Sequence, residues 1–170
     1  MEKRFKFSRI VMMVIVLGCL FASCSKEEEV RTPDAILGIW SPSENLYMTF
    51  TDNYTVLNLE VTEEDGYKIG LTSTDAYFYE PGYQIVIYMM GTHATVFQIV
   101  KLTQSELVWC PVDEITFDQA QEADEIGQLI GDIIKKAQEG YDLDPELYES
   151  LRSVSESEYR QMEDSLDYIF

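Results

Sequence analysis

Histidine occurs once in this 170-residue chain, at His93, and cysteine three times, at Cys19, Cys24 and Cys110. One histidine rules out a histidine-rich metal cluster, and no metal site or cofactor is expected. Basic residues number 12 against 31 acidic ones, a net charge of −19. A surface so poor in lysine and arginine repels nucleic acid and anionic lipid headgroups, so nucleic-acid binding is not expected. No apolar run reaches the ~20 residues of a membrane-spanning helix. Phosphate-cradling glycine loops, serine-nucleophile elbows and dinucleotide fingerprints are likewise missing.

What is present begins at the N-terminus. Lys3, Arg4, Lys6 and Arg9 form a positive segment, and an uncharged apolar run extends from Ile10 to Ala22. A positive start, a short apolar stretch and small residues before a cut mark a secretory signal. Phe21-Ala22-Ser23-Cys24 resembles the lipobox of bacterial lipoproteins, which implies removal of residues 1–23 and acylation of Cys24. Val16-Leu17-Gly18-Cys19 offers a second such pattern, but the apolar stretch continues through Cys19 to Phe21, which favours Cys24. Cys24-Ser25-Lys26-Glu27-Glu28 resembles the surface-export signal of Bacteroidota lipoproteins. That resemblance implies a lipid-anchored protein of the outer membrane, exposed at the cell surface, with residues 24–34 as an acidic tether.

The segment 1–23 holds four of the basic residues and one acid, Glu2, so the remainder carries 8 basic and 30 acidic residues, net −22. Its cysteines are Cys24 and Cys110, and an acylated Cys24 leaves no partner for an intramolecular disulfide. Cys110 follows Trp109 in an apolar stretch and reads as a small buried residue.

Residues 35–116 read as a β domain. Leu46, Met48 and Phe50 alternate with Tyr47 and Thr49; Leu57, Leu59 and Val61 alternate with Asn58 and Glu60; Ile85, Ile87 and Met89 alternate with Val86 and Tyr88. Period-two alternation marks half-buried strands. Turn signals at Asp52-Asn53, Asp65-Gly66, Pro81-Gly82, Gly91-Thr92-His93 and Thr103-Gln104-Ser105 separate about eight strands, near 36–41, 46–51, 54–62, 67–72, 75–80, 83–90, 95–102 and 106–112. Short links favour an antiparallel meander. Met48, Phe50, Leu57, Leu59, Ile85, Ile87, Met89 and Trp109 are the predicted inward side chains, and strands of six to eight residues favour a packed interior over a cavity.

Residues 117–170 read as two or three amphipathic helices. Ala123, Ile126, Ile130, Ile133 and Ala137 recur at helical spacing after a potential cap at Asp118, with Gly140 at the C-terminal stop. Asp144-Pro145 predicts a second helix carrying Leu147, Leu151 and Val154. Ser155 and Glu158 form a capping box for a third, with Tyr159, Met162, Leu166 and Ile169 on its apolar face. Asp142, Asp144 and Glu146 read as a capped helix start rather than a calcium loop. Asp164-Ser165-Leu166 matches a three-residue O-glycosylation pattern at Ser165.

Gly38-Ile39-Trp40 ahead of the meander resembles the opening of a lipocalin-like domain, and the stretch from Phe97 to Leu107 resembles its closing hairpin. The resemblance implies a short-stranded barrel of about eight strands with Trp40 closing one end. In that family an arginine from the last strand packs over the tryptophan. No arginine stands between Arg31 and Arg152, and Lys101 is the nearest substitute.

The expected protein is therefore a non-enzymatic, membrane-anchored lipoprotein that binds an envelope protein partner or a small apolar ligand. The alternatives are an envelope glycan hydrolase using paired carboxylates, or a structural accessory subunit of an envelope complex.

Overall fold

The computed structural model describes residues 32–117 and 123–166. Among them are eight strands and two α-helices. A 3-10 turn at Pro33–Ile36 leads into β1 (Gly38–Ser43), β2 (Leu46–Phe50), β3 (Thr55–Glu64), β4 (Tyr67–Glu80), β5 (Ile85–Met90), β6 (His93–Leu102) and β7 (Glu106–Thr116). Helix α1 (Ala123–Glu139), a second 3-10 turn (Pro145–Leu147), β8 (Glu149–Val154) and α2 (Glu156–Glu163) follow. Every strand pairs antiparallel with its neighbour in sequence, and β8 pairs with β1, so the sheet closes into an eight-stranded barrel. The mainly β barrel with C-terminal helices is the architecture anticipated from the sequence.

The turns follow local chemistry. Asp65 and Gly66 both hold positive φ, the geometry that suits a two-residue hairpin between right-twisted strands. Gly38 opens β1 at φ +129°, a conformation side chains rarely adopt, which gives the glycine of the Gly-x-Trp sequence a backbone reason.

Two segments depart from expectation. The predicted strands 67–72 and 75–80 are one 14-residue strand, β4. Ser73 and Thr74 pair with Asn58 and Leu57 without interruption, since neither breaks an extended chain. The predicted helix after Asp144-Pro145 stops within one turn. Asp144 Oδ1 does accept from the Glu146 backbone N–H at 2.9 Å, but residues 149–154 then form β8. The spacing of three between Leu151 and Val154 suits a helix face, yet in a strand it sends the two to opposite sides. Leu151 is fully buried inside the barrel and Val154 packs outside it, against Tyr159 and Met162. The β domain thus extends past residue 116 to include β8.

The barrel wall is apolar on two faces. Inside, one end is filled by Ile36, Trp40, Phe50, Val56, Tyr77, Leu102, Leu107 and Leu151. Outside, α1 lays Leu129, Ile130, Ile133 and Ala137 over Ile85, Ile87, Ala94 and Val96. The residues around α2 cover Tyr47, Leu59 and Val61 with Tyr159, Met162 and Leu166. Of the predicted inward residues, Met48, Phe50 and Trp109 point inward. Leu59, Ile85, Ile87 and Met89 lie under the helices on the outer face, and Leu57 is exposed. Their strands alternate as read but with the opposite sense, because a helix-covered outer face is as apolar as the interior.

Helix ends follow their caps. Ser155 Oγ accepts from the Glu158 N–H at 3.2 Å, and Gly140 N–H donates to the Lys136 carbonyl at 3.0 Å. Asp118 and Ile169 lie outside the described residues.

Candidate functional site

Trp40 and the 3-10 turn floor the barrel. The Trp40 indole N–H donates to the Ile36 carbonyl at 2.8 Å, and both residues are buried. Phe50 meets Tyr77 edge-on at 5.0 Å, and the Tyr77 hydroxyl donates to the Thr51 carbonyl at 2.7 Å. Arg152 does stand on the last strand, but it points outward to Glu158, 2.8 Å away, and makes no lock over Trp40. Lys101 pairs instead with Glu106.

The opposite end is hollow. A cavity of about 550 Å³ is lined by Pro42, Ser43, Leu46, Met48, Tyr88, Met90, Thr95, Phe97, Trp109, Glu149 and Ser150. A second hollow of about 380 Å³ shares Leu46, Met48, Tyr88 and Met90 with it and continues along Asn58, Glu60, Leu71, Thr72, Ser73 and Asp75. These volumes fall in the range of small-molecule pockets. Leu71 and Met90 are 56% and 46% exposed, so the rim is apolar and open to water. Strands of ten to fourteen residues, β3, β4, β6 and β7, raise the walls well above the filled floor. The sequence suggested six to eight residues and a filled interior; the added length makes a cup.

The walls combine aromatic faces with fixed polar groups. Phe97 and Trp109 stack at 4.3 Å with their planes 20° apart. The Trp109 indole N–H donates to Glu149 Oε2 at 2.9 Å. Asn58, Asp75 and Tyr88 bond in a ring: Asn58 Nδ2 donates to Asp75 Oδ2 at 2.7 Å and to the Tyr88 hydroxyl at 2.8 Å, and that hydroxyl donates to Asp75 Oδ2 at 2.8 Å. Burial, then the bond to Asp75, push the Tyr88 phenol far above its ordinary ionisation range, and the bond from Asn58 offsets a smaller part. Tyr88 therefore stays a neutral donor. Glu60, Asp75 and Glu149 are carboxylates, and no lysine, arginine or histidine is among the lining residues.

The residues singled out from sequence are scattered relative to this cup. Cys24, Ser25, Lys26, Glu27 and Glu28 lie outside the described residues. Gly38 and Trp40 belong to the floor. Cys110 is buried, with its Sγ 3.6 Å from the Pro111 carbonyl. His93 is exposed beside Thr92. Ser165 is exposed and donates to the Met162 carbonyl at 2.6 Å. Among the described residues no cluster of metal-ligating side chains occurs. Asn58, Glu60 and Asp75 went unrecognised because polar residues in a strand read as solvent-facing. The available signal was the amphipathic helices, whose apolar stripes needed an outer face to cover. The chain matches no protein-family model, no curated protein and no solved structure.

Proposed function

We propose that this protein is a lipid-anchored envelope lipoprotein whose barrel binds a small molecule in its open cup. The observation that carries the reading is the cup itself: a cavity of about 550 Å³ above a filled and closed floor. A barrel serving only as a scaffold gains nothing from leaving this space unpacked, since voids cost stability. The lipocalin-like resemblance, drawn from Gly38 and Trp40, agrees with a cup closed at one end.

The lipobox at Cys24 and the Lys26-Glu27-Glu28 sequence support an outer-membrane, surface-facing anchor. The eight peptide links from Cys24 to Thr32 reach at most ~28 Å, and Thr32 joins the barrel beside its floor. The cup opens at the other end, so the ligand enters from the aqueous side rather than along the tether.

A glycan hydrolase would draw on the same carboxylates. Asp75 already accepts from Asn58 and Tyr88, and Glu149 from Trp109; these bonds support a fixed binding wall more than a mobile acid and base. Native mass spectrometry of the protein purified from its own envelope tests the binding reading. A co-purifying small molecule supports it, whereas a stoichiometric partner chain with an empty barrel would overturn it. Replacing Cys24 by alanine should release the protein from the membrane fraction.

A further inference from the structure

The charge of the cup narrows its ligand beyond the binding role proposed above, on which this inference rests. Glu60 and Asp75 line the smaller hollow and Glu149 the larger one beside it, and no cationic side chain lines either. Glu60 and Glu149 are exposed, whereas Tyr88 and Trp109 are buried and Phe97 partly so. The negative groups thus lie nearer solvent and the aromatic faces deeper. We infer that the cup takes a cationic amphiphile, its apolar body against Tyr88, Phe97 and Trp109 and its ammonium head at the acidic rim to which Glu60 and Glu149 contribute.

Several features converge on that polarity. An anionic head would meet like charges with no cationic side chain beside them, a repulsion that water at the rim weakens but does not remove. An ammonium group gains from the carboxylates and also from the electron-rich faces of tryptophan and tyrosine. Tyr88, held neutral and already donating to Asp75, adds no charge that would alter the balance. The stack of Phe97 on Trp109 gives a flat apolar wall. The overall charge of −19 would draw cations to the chain in general, so the test must separate the cup from that background.

The chain from residue 24 onward carrying Cys24→Ala, which keeps every described residue and needs no detergent, is titrated with dodecyltrimethylammonium, dodecanoate and dodecyl maltoside. All three are kept below micelle-forming concentrations at ~150 mM salt, and binding is read from tryptophan emission, to which Trp109 contributes from the cup wall. The expected result is at least tenfold tighter binding of the trimethylammonium than of dodecanoate. In Glu60→Gln/Glu149→Gln the trimethylammonium Kd rises at least fivefold while the maltoside Kd stays within twofold. Dodecanoate binding as tightly as the cation overturns the inference, as does a cation preference unchanged in the double variant, which is then general attraction to an acidic chain. If the maltoside and dodecanoate bind but the cation does not, the cup binds ligands and only its polarity is misread. Binding of none of the three removes the ligand-cup reading as well.

Discussion

Trp109 and Glu149 lie forty positions apart in sequence, yet the indole N–H of one meets the carboxylate of the other at 2.9 Å. They are also register partners on β7 and β8, the pair of strands that completes the barrel wall beside β1. One bond thus ties the late strand to the seam and sets the plane of the tryptophan that walls the cup. Glu149→Ala should leave the indole without its protein acceptor and cost roughly 0.5–1.5 kcal/mol. Glu149→Gln keeps an acceptor oxygen and should cost less. Urea denaturation ranks the two, and tryptophan emission should shift in the alanine variant alone; equal behaviour would show that the bond is not maintained.

The placement of residues 149–154 in the barrel gives a sharper test. Leu151 is fully buried among Trp40, Leu102 and Leu107. Leu151→Ala should therefore cost about 2–5 kcal/mol, as for other buried leucines. Its neighbour Arg152 points outward to an exposed Glu158, with both side chains about half exposed. Arg152→Ala should stay within ~1 kcal/mol, as surface ion pairs do. Comparable losses at both positions would contradict a barrel strand here.

Tyr88 predicts how stability responds to alkali. Its folded ionisation lies above the ordinary phenol value of about 10, first through burial and next through its bond to Asp75. The unfolded chain therefore loses this proton first as pH rises. Fewer protons bound in the unfolded state mean that stability falls with pH, starting near pH 10, and is intact below it. Tyr77 and Tyr141 are displaced in the same direction, mainly by burial. Tyr88→Phe should remove part of the alkaline loss and leave the remainder to those two. At neutral pH it should cost roughly 1–3 kcal/mol for the two hydrogen bonds lost, one of them to the Asp75 carboxylate. Denaturation midpoints between pH 8 and 11 give the slope, and tyrosinate absorbance gives the titration; an unchanged alkaline slope would mean that Tyr88 ionises as freely folded as unfolded.

Alternation in β2, β3 and β5 announced strands, and the hairpin signals at Asp65-Gly66 and Gly91 fell where the chain turns. Which side of each strand faced inward could not be read from strand sequence alone. Leu59 and Val61 look like core, and so they are, but the core they join is sealed by Tyr159, Met162 and Leu166 from the end of the chain. Once these two point outward, Asn58 and Glu60 must point inward, and the polar wall of the cup follows from the same inversion. β8 was hidden for a related reason: Leu147, Leu151 and Val154 repeat as a helix face does, and only pairing with β1 and β7 decides for a strand. Both errors are tertiary in origin, since strand propensity describes a half-buried surface without saying what buries it.

Gly70 records where the end of the chain docks. It lies on β4 opposite Val61, and a Cβ built there would stand 2.7 Å from a methyl of Leu166 and 3.0 Å from one of Leu59. Both neighbours are side-chain tips, which yield only by changing rotamer or lifting the segment after α2. Gly70→Val should thus destabilise by roughly 1–3 kcal/mol through overpacking, despite the better strand propensity of valine. Leu166→Ala alone should also destabilise, because Leu166 is only 8% exposed and leaves a void. Combined, the two changes exchange volume across one contact. The double variant should be more stable than the sum of the single losses by about 1 kcal/mol or more. Urea denaturation of the four proteins closes this cycle. Strict additivity would mean that Leu166 does not rest on Gly70, and that the helix shielding Leu59 and Val61 is held by Tyr159 and Met162 alone.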